Sequence, residues 1–200
     1  MEEKMRKCLG KMFVGAALVA ISAAPALAAD QLIPGKIMIV KPATLAKVLA
    51  KGTFTLPTGA DQPTTAGGSL LIRDLGNPMN VNTYSLPSSG WKGLGNPAGT
   101  KGYKYKGAGS VSDPCKVVLI KTKIVKAVCK GAGVTLTAPV SIPPAEVAVN
   151  LSSGAGTSYC AEFGGTEIKN AANIVKRKDA PAPSACSSPS GAFIETASLF

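Results

Sequence analysis

The 200-residue sequence contains no histidine. That absence removes Ser-His-Asp and Cys-His catalytic units and any imidazole metal site. Acid is scarce too: 11 Asp and Glu stand against 22 Lys and Arg, a formal charge of +11. Charged residues reach only 16% while apolar ones make up 46%, which suits a globular chain and not a disordered one. After residue 28 no apolar run approaches the roughly 18 residues that a spanning helix needs. There is one tryptophan, and no C-x-x-C pair, so neither a zinc site nor a thioredoxin-like motif is expected.

What is present begins with an export signal. Lys4, Arg6, Lys7 and Lys11 form a basic region, residues 13–24 are apolar, and Pro25 precedes Ala26-Leu27-Ala28, an A-x-A cleavage pattern. The apolar stretch is too short to be a membrane anchor. We expect residues 1–28 to be a signal peptide, with the remainder periplasmic or extracellular. Cys8 sits in the basic region and would leave with the signal. Cys115, Cys129, Cys160 and Cys186 remain, an even number that in an exported chain reads as two disulfides.

Short runs rich in Val, Ile, Leu and Thr recur between Gly and Pro, at 36–41, 45–51, 69–74, 81–86, 116–121, 123–130, 134–137, 146–152 and 158–163. Val147, Val149 and Leu151 alternate with Ala148, Asn150 and Ser152, the period-2 pattern of a half-buried strand. The runs 37–40 and 117–120 are apolar throughout and read as central strands covered on both faces. Many short strands imply an all-β chain, an immunoglobulin-like or jelly-roll-type β-sandwich over residues 29–186.

Leu45 and Leu49 have a spacing that would also fit one face of a helix. An internal comparison favours strands. With one gap, the lysines at 36, 41, 47 and 51 fall on those at 116, 121, 126 and 130, and Gly52 falls on Gly131. The second copy, IVKAVCK, is β-branched and prefers extended structure. Both copies read as hairpins, and weaker likeness further on suggests two tandem halves, about 36–115 and 116–186. A three-residue loop at 121–123 would set Cys115 opposite Cys129 and leave Cys160 to pair with Cys186.

The glycine-rich segment 90–109 is not a phosphate loop, because Lys101 is followed by Gly102 and not by Ser or Thr. A dinucleotide fingerprint fails as well, with Ala98 where its third glycine would stand. Ser89-Gly90-Trp91-Lys92 matches Ser-x-x-Lys, yet glycine and tryptophan in such a segment do not build the helix start that chemistry needs. We expect no nucleotide cofactor and no metal. Two carboxylates from different strands, such as Asp74 and Glu162, are the remaining route to an enzyme, a secreted carbohydrate-active one.

Nine basic residues lie at 92–130, opposed there only by Asp113. Within them Trp91, Tyr103 and Tyr105 interleave with Lys92, Lys101, Lys104 and Lys106, a mixture suited to an acidic polysaccharide or another envelope polyanion through charge and stacking. The same residues also fit a core tryptophan and two tyrosines alternating along an edge strand. Residues 187–200 end in Phe200 but alternate too poorly for an outer-membrane barrel strand, and we expect a loosely held tail. The functional expectation is an exported, non-enzymatic structural or interaction module.

Overall fold

The computed structural model describes residues 30–77, 79–138, 147–153 and 156–186. The expected signal peptide and C-terminal tail lie outside them. The described chain is mostly β and forms two sheets packed together. Its strands are β1 (Asp30–Leu32), β2 (Gly35–Lys41), β3 (Leu45–Lys51), β4 (Gly68–Asp74), β5 (Val81–Leu86), β6 (Trp91–Leu94) and β7 (Gly102–Tyr105). They continue as β8 (Cys115–Lys121), β9 (Ile124–Lys130), β10 (Val147–Ser153), β11 (Thr157–Glu162), β12 (Thr166–Ala171) and β13 (Ile174–Lys178). One α-helical turn, Pro63–Ala66, interrupts them.

One sheet has five strands in the order β1-β11-β10-β4-β5, and the other has eight, β12-β13-β2-β3-β9-β8-β7-β6. Neighbours are antiparallel except β1, which runs parallel to β11. In both sheets a central antiparallel pair joins strands far apart in sequence. Val48 of β3 faces Ala127 of β9, and Leu71 of β4 faces Asn150 of β10.

Side chains alternate between the faces of a strand, and here one face of each sheet is dry. Met38 and Val40, Ala46 and Val48, Val118 and Ile120, and Val125 and Ala127 point inward from the large sheet. Leu70, Ile72, Tyr84, Leu151, Tyr159 and Ala161 meet them from the small one. Each fully buried Leu or Ile contributes roughly 1.5–3 kcal/mol.

Residues 45–51 form a strand and not a helix. Leu45 and Leu49 share its outer, half-exposed face. The apolar runs at 37–40 and 117–120 differ from expectation: Ile37, Ile39, Val117 and Leu119 are only half-buried, so these strands are covered on one face and not two. Residues 134–137 are not a strand. Asn82 Oδ1 accepts from the Thr135 and Leu136 amides at 2.9 and 3.1 Å, and Asn80 Oδ1 accepts from the Thr137 amide at 2.8 Å. Side chains take the place of a neighbouring strand.

Both disulfides form, Cys115–Cys129 and Cys160–Cys186. The register leading to the first is not the one expected. The loop between β8 and β9 has two residues, so Lys121 faces Ile124 and Val118 faces Ala127. A bulge between Cys115 and Val117 then absorbs the one-residue slip and brings Cys115 opposite Cys129. The hairpin β2–β3 has a three-residue loop, with Ala43 at φ 53°, and a matching irregularity between Gly35 and Ile37. The single gap in the internal alignment is the difference between these loops.

Candidate functional site

The segment singled out for its lysines and aromatics folds into the hairpin β6–β7 and, beside it, the hairpin β8–β9. Trp91 lies opposite Tyr105, Lys92 opposite Lys104, and Gly93 opposite Tyr103. Alternation decides what each row presents. The Trp91–Tyr105 row faces the core, where the two rings meet with centroids 5.4 Å apart. Trp91 Nε1 donates to the Leu86 carbonyl at 3.1 Å, and Tyr103 donates its hydroxyl to the Pro57 carbonyl at 3.1 Å. All three rings are buried. Stacking on a ligand, one half of the sequence expectation, has no ring face available here. The tyrosines also do not sit on an edge strand, since β7 lies between β6 and β8.

The charge half of the expectation is at the surface. Lys92, Lys101, Lys104 and Lys106 are exposed. Lys92 and Lys104 stand directly opposite each other, a like-charge pair that repels in a sheet. Asp113, the one acid of the segment, is already engaged. Its Oδ1 accepts from the Tyr105 hydroxyl at 3.0 Å and its Oδ2 from the Ala108 amide at 2.7 Å. Burial, and secondly this carboxylate, pushes the Tyr105 pKa up to about 12. The Tyr105 hydroxyl thus stays neutral and holds the carboxylate against the loop.

The glycines close the loop between β6 and β7 and do not cradle a ligand. Gly102 has φ +105°, and a Cβ there would collide with the Ile120 carbonyl on β8. The amides of Gly99 and Lys101 both donate to the Leu94 carbonyl, at 3.0 and 2.9 Å. Backbone donors that a phosphate would need are spent inside the loop.

Asp74 and Glu162 are not brought together. In the five-stranded sheet Asp74 pairs with Val147, whereas Glu162 pairs with Ala148, the next row along β10. Adjacent rows point to opposite faces. Asp74 is buried on the core side, accepting from the Gly76 amide at 3.0 Å, and Glu162 points outward. This pair does not face across a cleft. The one group of metal-ligand type among the described residues joins Asp30 to Cys160 and Cys186, whose sulfurs are bonded to each other.

Sequence reasoning did not single out the lysines of the first half as part of this region. The sheet order places β2 and β3 beside β9 and β8, so Lys47 and Lys51 continue the basic surface of Lys126 and Lys121. The aligned lysines of the two hairpins were the available signal. Comparison of the chain with protein-family models, with curated proteins and with solved structures gave no match.

Proposed function

We propose that this protein is an exported, non-enzymatic β-sandwich module that binds acidic polymers at or beyond the cell envelope through its lysines. The observation that carries the proposal is the directly opposed, exposed pair Lys92 and Lys104, on strands that contain no carboxylate. Asp113, the nearest acid in sequence, is committed to Tyr105 and Ala108. A polyanion relieves the repulsion that the fold leaves in place. Export is supported by the two disulfides, which persist in oxidising compartments and are rare in the cytoplasm, and by the basic and apolar pattern of residues 1–28.

The same proposal includes an internal duplication of about 36–115 onto 116–186. The strands β2 to β7 would correspond in order to β8 to β13. Three observations support it. The order of the eight-stranded sheet reads the same from either end under that correspondence. The burial patterns of β2 and β8 are identical, as are those of β3 and β9. Val48 and Ala127, equivalent by the alignment, are also paired with each other, and so are Leu71 and Asn150, the fourth residues of β4 and β10.

The test is retention of the mature protein on an anionic polysaccharide matrix at low and moderate salt, beside the double variant Lys92→Glu with Lys104→Glu. Wild type is expected to be retained at low salt and released as screening rises, and the variant to elute earlier. Equal retention of both proteins, or retention insensitive to salt, contradicts the proposal.

A further inference from the structure

The outer face of the eight-stranded sheet has a composition that core packing does not require. Its outward positions on β3 and β9 alternate lysine with Ile, Leu or Val, and those on β2 and β8 are aliphatic up to a terminal lysine. One row runs Lys104, Leu119, Lys126, Leu49, Ile37. The next runs Val117, Val128, Lys47, Ile39. The aliphatic members are half-buried, as are Lys47 and Lys126. Lysine stems lying along such a surface cover it while leaving the ammonium groups in water. The five strands β2, β3, β7, β8 and β9 contain no Asp or Glu. At the border of the face, Asp179 is held below the usual carboxylate range by a hydrogen bond from Lys36, and lies 3.7 Å from Lys178.

Lys47 faces Val128 and Lys126 faces Leu49, which makes the two lysines diagonal neighbours about 7–8 Å apart at the centre of the sheet. They belong to different hairpins and meet only because β3 pairs with β9. We infer that this face, centred on Lys47 and Lys126, is the binding surface, and that it takes one extended strand of a carboxylated or sulfated polysaccharide lying across both hairpins. The inference rests on the polyanion reading above and gives it a place. Ammonium groups meet the acidic substituents, and the aliphatic residues between them meet the C–H faces of the sugar rings.

Other occupants fit less well. A second copy of this face would set lysine against lysine. Single-stranded nucleic acid binds through aromatic platforms, and Trp91, Tyr103 and Tyr105 are turned into the core. An anionic bilayer finds no aromatic side chain among the outward residues of these strands to seat at its interface.

The experiment measures retention on immobilised polygalacturonate at low salt. It compares wild type, Lys47→Gln with Lys126→Gln, Lys47→Arg with Lys126→Arg, and Lys101→Gln with Lys106→Gln. The first and last doubles remove the same charge from different places. Far-UV circular dichroism and non-reducing electrophoresis check folding, and Lys51→Gln with Lys130→Gln, at exposed ends of the same strands, stands in if the central glutamine pair misfolds. The central pair is expected to weaken binding roughly tenfold, the arginine pair to retain it, and the loop pair to change it less than about twofold. Equal losses from the face and the loop would overturn the inference while leaving polyanion binding intact. Absence of wild-type retention would overturn both. Vesicles of anionic phospholipid that bind the protein more tightly than polygalacturonate would replace the polymer with a membrane surface.

Discussion

Tyr84, Tyr103, Tyr105 and Tyr159 are the protein's four tyrosines, and all are buried. Three of them pin a chain segment through a hydroxyl: Tyr103 to Pro57, Tyr159 to Thr55 at 2.9 Å, and Tyr105 to Asp113. Burial raises the pKa of all four, Tyr105 to about 12. The folded state therefore holds the phenolic proton more tightly than the unfolded chain does. The stability this contributes is complete below the ordinary tyrosine value near 10 and is lost between there and about 12 for Tyr105. A spectrophotometric titration should show no tyrosinate near pH 10 in native protein, with ionisation arriving together with unfolding at higher pH. Reversible ionisation of one or more tyrosines near pH 10, with the fold intact, would contradict this. The burial of these rings was only half legible in the sequence. An aromatic next to lysine serves a core and a sugar site equally well, and strand alternation separates the two only once the register of β6 on β7 is known.

The long connection from β9 to β10 shows how an element can be fixed without becoming a strand. Residues 134–136 run beside β5, where Asn82 Oδ1 receives the Tyr84 hydroxyl at 2.7 Å as well as the Thr135 and Leu136 amides. One oxygen thus satisfies two backbone donors that would otherwise go without partners. Asn82→Ala should cost about 2–4 kcal/mol in urea unfolding, since each stranded donor carries a desolvation penalty of about 1–3 kcal/mol. A loss within the ~0.5 kcal/mol typical of surface changes would contradict this role. The run Val134 to Thr137 resembles a strand because its composition is that of one, and nothing local reveals that asparagines will replace the partner. β12 and β13 went unseen for the opposite reason. Thr166–Ala171 is polar and exposed along most of its length, so it carries no apolar alternation. Three of the five residues of its partner β13 are lysine or arginine, with Arg177 buried and paired to Glu167 at 2.5 Å. The hairpins β2–β3 and β8–β9 were legible almost to the residue because lysines lie at or beside both ends of β2, β8 and β9 and close β3.

For the whole molecule, sequence pattern carried the all-β class and both disulfides, but not the way the two hairpins combine. Cys160 sits on β11 and Cys186 beyond β13, so their bond ties the small sheet to the chain that leaves the large one. The β3–β9 pairing is the decisive long-range event. It turns two separate lysine-flanked hairpins into one continuous, acid-free face, and a register shift of one residue would have turned the lysines inward. The measurement that tests this account most directly is an NMR titration of isotope-labelled protein spanning residues 29–200 with an acidic oligosaccharide, at low and at moderate salt. The account predicts amide shift changes concentrated on β2, β3, β8 and β9 around Lys47 and Lys126, fading as salt rises. Changes centred instead on Asp74 or Glu162, or none anywhere at low salt, would contradict it.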